Sequence, residues 1–310
     1  MPDWLVHLGF AYVMARLIKL RDLKLFFLGS LLPDISRVAL YFTDFAHLDQ
    51  ISSHLYFMPF HTPFMAALVA LVISLFSENF KKCFFLIFLG AIFHLALDLT
   101  QYRIGNGVLL FYPFSFRQFY FSLFWSGDNI SVLLRALAIG VLVICLLKKR
   151  PVGSPLFLRA PNLKIAFPLM VLVLIIPLST TSLMMKNNVD YVDFLAHPQK
   201  WEGKRVEFYN AKVISTNPVI VRGMGVKFEV VTSEEFREGD QICIRATHKE
   251  GRIFPVFIYR YRGPSKSKVS LVGLLLFVLI WIDFPQRGRV RLIFREAFFR
   301  RKDELKRRGS

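Results

Sequence analysis

A histidine and an aspartate four residues apart lie inside one apolar run, Gly90-Ala91-Ile92-Phe93-His94-Leu95-Ala96-Leu97-Asp98. On a helix, positions i and i+4 share a face with Cβ atoms roughly 5–6 Å apart, so this pair can grip one cation or simply hydrogen-bond to itself. Ionisable side chains are expensive in hydrocarbon and are functional-site candidates by default. Three further residues of this kind border apolar stretches: His7, Asp34 after Leu31-Leu32-Pro33, and His61 before Thr62-Pro63. Together they form a mixed nitrogen and oxygen donor set that suits Zn²⁺, and nearly as well Mn²⁺, Co²⁺ or Fe²⁺. Five donors exceed one closed tetrahedral site. They fit one ion with an open position, or two ions bridged by a carboxylate. Such a site acidifies water and stabilises charge on a phosphoryl or carbonyl oxygen. Arg37, one turn beyond Asp34, and Arg103, just beyond Asp98, are candidate contacts for a substrate phosphate. Either alone is as readily explained as an arginine snorkelling to lipid headgroups. A general base is not evident, although Asp44, Asp49 or His54 in the adjacent connection is available.

The elements that must position these residues are apolar. The chain has 310 residues, 54% hydrophobic and only 20% charged, with 33 phenylalanines, which excludes an ordinary soluble domain. About seven apolar segments are expected as helices, near 4–20, 24–42, 63–77, 83–100, 129–147, 165–184 and 268–284. Segments one to three are short or polar for true spans, and Pro33 should break the second. The first segment follows neither a basic leader nor a small-residue cleavage site, so it is expected to be retained. The loop 101–127 is aromatic and semi-polar and reads as interfacial. Cys83, Cys145 and Cys243 are too scattered for a disulfide framework or a cysteine metal site. Between 187 and 262 the pattern changes to short alternating runs separated by turn residues. A short helix (190–197) followed by about five strands predicts a small OB-like barrel inserted between the last two helices.

These segments divide the chain into a helical metal-site domain (1–150), a linker and transmembrane helix (151–186), the barrel (187–262), and a last helix with a basic tail (263–310). The net charge of +18 raises nucleic acid as a partner. Its distribution argues against that, because basic residues flank apolar runs and fill the tail, where 285–310 holds ten Lys/Arg and three acids. This is the positive-inside pattern, with attraction to anionic membrane lipid. Placing every basic cluster in the cytoplasm gives seven spans with the N-terminus outside. His7, Asp34, His61, His94 and Asp98 then fall on one outer membrane face together with the barrel, and the tail is cytoplasmic. His197 and His248 are expected to be surface residues.

The ordered set His7, Leu32-Pro33-Asp34-Ile35, His61-Thr62-Pro63 and His94-Leu95-Ala96-Leu97-Asp98 resembles the membrane-bound metal-dependent hydrolases over roughly residues 1–145. It is also similar to part of the ligand set of secreted zinc-dependent phospholipases C. The resemblance implies an inner-membrane enzyme in which Asp34, His61, His94 and Asp98 hold one metal. Asp98 would bridge to a second, which His7 also binds. The family's histidine upstream of the His61 motif is missing, and no histidine occurs between His94 and His197, so a three-metal site is not expected. The barrel resembles an OB-fold, with Phe194 to Val206 as its start. The expected function is therefore a membrane-bound metal-dependent phosphoesterase acting on phospholipid-type substrates. The alternative is a non-catalytic membrane protein with a structural metal and a barrel that recruits a protein partner. A transporter is disfavoured, because the ligands gather at one face and no repeated halves are visible.

Overall fold

The computed structural model describes residues 3–20, 22–102, 107–125, 128–147, 160–187, 192–261 and 268–281. Arg103, the Lys148-Lys149-Arg150 cluster, the linker 151–159 and the tail 285–310 lie outside the described residues, as do the side chains of Arg37 and Asp44. Helix α1 (Trp4–Leu17) is capped by Asp3, whose carboxylate accepts from the Val6 N–H. The second apolar segment divides into α2 (Leu23–Leu31), a 3₁₀ turn (Leu32–Asp34) and α3 (Ile35–Phe45). Pro33 lacks the N–H that a continuous helix would use, so the α-helical pattern gives way to a 3₁₀ turn that ends at Asp34. Helix α4 (Gln50–Phe57) runs through a second 3₁₀ turn (Met58–His61) into α5 (Pro63–Ser74), with a 74° bend at the break. Thr62 makes that break, its hydroxyl accepting from the Met65 N–H with Pro63 at the first helical position.

Among the described residues, three helices are long and apolar enough to cross a membrane: α6 (Phe80–Leu99), α7 (Asn129–Leu147) and α8 (Leu163–Asn187). The bent α4–α5 pair makes a fourth if it counts as one span. Among the described residues the structure thus supports three or four spans rather than seven. Helix α1 has 14 residues, which at ~1.5 Å per residue falls well short of a ~30 Å hydrocarbon core. The last helix, α10, is described over Lys268–Trp281, and Pro33 divides the second segment. Helices α7 and α8 leave Leu133, Leu137, Leu174 and Leu178 exposed on their outer sides, as lipid-facing helices do.

The helical unit is held by close backbone crossings. A Cβ on Gly29 would collide with the Ile87 carbonyl, and one on Gly90 with the Phe26 carbonyl. Helices α2 and α6 thus touch main chain to main chain, as small residues allow between apolar helices. Gly9 does the same for α1 against Ala138 of α7. The segment between α6 and α7 is irregular, tied back by Phe121 N–H to Leu99 O (2.7 Å) and Leu123 N–H to Thr100 O (2.8 Å).

The second unit is a closed five-stranded barrel in the order β1-β2-β3-β5-β4. Its strands are β1 (Arg205–Thr216), β2 (Val219–Gly223), β3 (Val226–Val230), β4 (Gln241–Lys249) and β5 (Arg252–Arg260), preceded by the one-turn α9 (Phe194–Ala196). All neighbours are antiparallel except β3 and β5, which close the ring through the parallel pairs Glu229–Arg252 and Val230–Ile253. Alternation puts Val206, Phe208, Val221, Phe228, Val230, Ile242 and Ile244 inside. A bulge between Phe208 and Ala211 restores the inward phase for Ala211 and Val213. His248 is a correction: it is 3% exposed, with its ring edge against Phe194 inside the barrel, whereas His197 is half-buried. The barrel rests on the helices through an aromatic stack. Trp125 lies between Tyr102 (centroids 4.3 Å) and Tyr259 (4.2 Å), and the Tyr259 hydroxyl donates to Asp128.

Candidate metal centre

The Gly29/Gly90 crossing builds the site. With the α2 and α6 backbones in contact, His94 lies one turn beyond Gly90 and places its Nδ1 2.6 Å from the Ser30 carbonyl oxygen. A carbonyl only accepts, so Nδ1 carries the proton and Nε2 presents its lone pair. That Nε2 faces carboxylates: Asp98 Oδ2 at 3.4 Å and Asp34 Oδ1 at 3.7 Å. Asp98 is there because it lies one turn further along α6. Asp34 is there because it ends the 3₁₀ turn that follows α2, the helix that packs on α6.

His61 arrives from the break between α4 and α5. Its Nε2 contacts Asp98 Oδ2 at 2.5 Å, and its Nδ1 is 3.7 Å from Asp34 Oδ1 and 3.4 Å from the Pro33 carbonyl. One ligand atom from each of Asp34, His61, His94 and Asp98 lies within 4.8 Å of every other, and all four residues are buried. His7 stacks on His94 with ring centroids 3.6 Å apart and points Nε2 at Asp98 Oδ1, 3.6 Å away. Exposure is 0% for both aspartates, 1% for His7 and His94 and 8% for His61, so any opening to solvent is on the His61 side.

The donor set fits a cation. A tetrahedral ion with bonds of ~2.1 Å has ligands about 3.4 Å apart, close to the 3.4–3.7 Å separations of His94 and His61 from the two carboxylates. The His61–Asp98 contact is shorter and is a hydrogen bond. Two carboxylates buried beside an imidazole lone pair repel one another, and a divalent ion between them neutralises that charge. His94 Nε2 and both ring nitrogens of His7 make no hydrogen bond among the described residues, although all are buried. The surrounding contacts are those that orient ligands: Ser30 O sets the His94 tautomer, and the Trp4 indole donates to Asp34 Oδ2 at 3.0 Å.

Of the residues expected from sequence, the structure brings His7, Asp34, His61, His94 and Asp98 together. Arg37 lies on α3 just past Asp34, with its side chain outside the described residues, and Arg103 is outside them altogether. Asp49 caps α4, accepting from the Ile51 and Ser52 N–H groups, and is exposed. His54 lies within α4. Sequence reasoning missed Trp4 and the Ser30 carbonyl. Gly29 and Gly90 were a usable signal, since small residues in apolar helices mark close crossings; Trp4 had no local signal.

The chain matches the model of a family described as YdjM inner membrane protein over residues 3–188. It belongs to the YdjM inner membrane protein family. The matched stretch contains all five clustered residues and helices α1 to α8, so the chain is a membrane protein and the cluster lies within the part it shares with the YdjM family. The barrel strands and α10 lie beyond it. No curated protein and no solved structure gave a significant match.

Proposed function

We propose that the protein is a membrane-bound metal-dependent hydrolase, a phosphoesterase acting on phospholipid-type substrates at the outer membrane face. One observation carries the reading. Two buried carboxylates and the lone pair of His94 Nε2 converge on one point, an arrangement that a divalent cation relieves. Zn²⁺ suits the donors best, as one or two ions. Asp34, His61, His94 and Asp98 would hold the first. His7, stacked on His94 and facing Asp98 Oδ1, would join Asp98 in holding a second. Bound there, the ion supplies an acidified water and neutralises charge on a phosphoryl oxygen.

The residues divide the remaining work. Asp98 accepts from His61 and so orients it, the Ser30 carbonyl keeps the proton on His94 Nδ1, and His61, the most exposed of the five, faces the side where substrate enters. Arg37 and Arg103 are the proposed contacts for the substrate phosphate. The ordered motifs and the burial support the reaction class; the basic clusters flanking the apolar segments support the outer placement of site and barrel, with the tail in the cytoplasm.

The test is turnover. Detergent-solubilised protein is incubated with phospholipids and lipid phosphate esters in mixed micelles, and released headgroup or phosphate is quantified. Metal-dependent release that disappears in His94→Ala/Asp98→Ala supports the proposal; metal-loaded protein that releases nothing contradicts the enzymatic reading.

A second reading, a structural metal with a partner-binding barrel, is favoured by one feature of the barrel, which has the strand order of an OB-type fold. Lys212 pairs with Arg222 and Arg222 with Lys227 across β1, β2 and β3, all three are exposed, and none is in an ion pair among the described residues. Like charges in register destabilise a sheet, so this row fits an acidic protein partner.

A further inference from the structure

The Asp34 carboxylate is divided between two tasks. Oδ1 faces His61 and His94, whereas Oδ2 accepts the indole N–H of Trp4 at 3.0 Å. An indole N–H donates and cannot bind a cation, so it orients the carboxylate without competing for the ion. Trp4 is itself held from two sides. Asp3, just before it, caps α1 with one oxygen and accepts from Arg135 Nε of α7 with the other, at 2.6 Å. On the opposite side α10 lies against the first turn of α1. The Trp4 backbone N–H donates to Ser270 Oγ at 3.4 Å, and a Cβ on Gly273 would lie 2.8 Å from the Trp4 carbonyl carbon and collide with the Leu5 nitrogen. Val269, Leu276, Phe277 and Ile280 of α10 pack in the same apolar cluster as Leu5 and Leu8.

We propose that Trp4 is a positioning residue of the metal centre and that α10, from the stretch beyond the family match, is the arm that seats it. The chain of contacts runs from Gly273 and Ser270 to the Trp4 backbone, from its indole to Asp34 Oδ2, and from Asp34 Oδ1 to the ion. The centre thus depends on a helix some 175 residues beyond its last ligand. This inference rests on the reading of the cluster as a metal site.

The experiment uses the full chain in detergent, stripped with chelator and titrated with Co²⁺, with the visible spectrum reporting ligand geometry and Zn²⁺ competition reporting affinity. Trp4→Phe keeps the ring and removes only the N–H. It is expected to weaken binding about 10–100-fold, as loss of an orienting partner does, and to change the Co²⁺ spectrum at unchanged Tm. Gly273→Leu should do the same by displacing α10 from Trp4, whereas Leu279→Ala, at an exposed position of α10, should bind as the parent does. Parent-like affinity and spectrum in Trp4→Phe would overturn the proposal while leaving the metal site intact. Weakened Trp4→Phe with a folded, parent-like Gly273→Leu would overturn the role of α10. A parent that binds no metal would overturn both this inference and the metal reading.

Discussion

The helical unit and the barrel bury their polar groups by opposite rules. In the barrel the interior is apolar apart from His248, and charges pair on the outside: Arg245 with Glu207 at 2.8 Å, Arg260 with Asp240 at 3.4 Å and Arg252 with Glu229 at 3.5 Å. In the helical unit the surface is apolar, and charge is collected at the centre, where Asp34, Asp98, His7 and His94 are at most 1% exposed. In the helical cluster two carboxylates lie beside three histidines in the interior, where charge is costly unless it is paired or neutralised. The second arrangement is one that could hold a cation.

Substitutions should break the two units in different ways. The largest effect is expected at Gly90→Leu, whose side chain would meet the Phe26 carbonyl and the Ser30 nitrogen and force α2 from α6. Loss of the folded helical unit, read as a collapse of helical circular dichroism on heating at a much lower temperature, is the expected result; a parent-like melt would show that the crossing is not needed. Next, Phe228→Ala, in the barrel interior, should cost ~3–5 kcal/mol of barrel stability. Denaturant unfolding followed by tryptophan fluorescence, to which Trp201 beside the barrel contributes, measures it, and metal affinity should not change. Trp125→Ala removes the stack between Tyr102 and Tyr259 and should cost ~1–3 kcal/mol of barrel docking, each aromatic pair contributing ~0.5–1.5 kcal/mol. Faster proteolysis in the segment between α6 and the barrel, with both units still folded, is the expected signature.

The smallest effect concerns pH. The Ser52 hydroxyl and backbone N–H, with that of Ile51, hold the Asp49 carboxyl below its ordinary value. A lowered carboxyl adds stability that is present above the unfolded pKa and is lost as pH falls through the folded value. Asp49→Ala should therefore cost roughly 0.5 kcal/mol at neutral pH, at the low end for an exposed helix cap, and nothing once the pH is below the folded value. Melting curves of the two proteins across pH 2 to 7 would show the gap closing only at the acidic end.

Much of this was legible locally. The alternation of Val206, Phe208, Val221 and Phe228 marks strands with one buried side, and the His94–Asp98 spacing marks one helical face. Strand order was less so, since the parallel closure of β3 on β5 depends on pairs far apart in sequence. The number of spans was not legible from hydropathy alone, which counts apolar residues and not helix length: α1 is apolar but short, and Pro33 divides a run that reads as continuous. His248 reads as a surface residue because polarity alone does not reveal the aromatic pocket made by Phe194 and Phe228. Trp4 was invisible for a different reason. Its role comes from a contact 30 residues away, made possible by a helix near the other end of the chain.

The central claim is that the buried cluster holds a divalent ion, and metal content tests it most directly. The detergent-purified protein and its His94→Ala/Asp98→Ala variant would be analysed by elemental mass spectrometry after gel filtration. One to two equivalents of Zn or Mn in the parent, absent from a variant that still elutes as folded protein, is the predicted result. No metal in either, with the parent fully folded, would contradict the account and leave His94 and Asp98 as a buried polar pair.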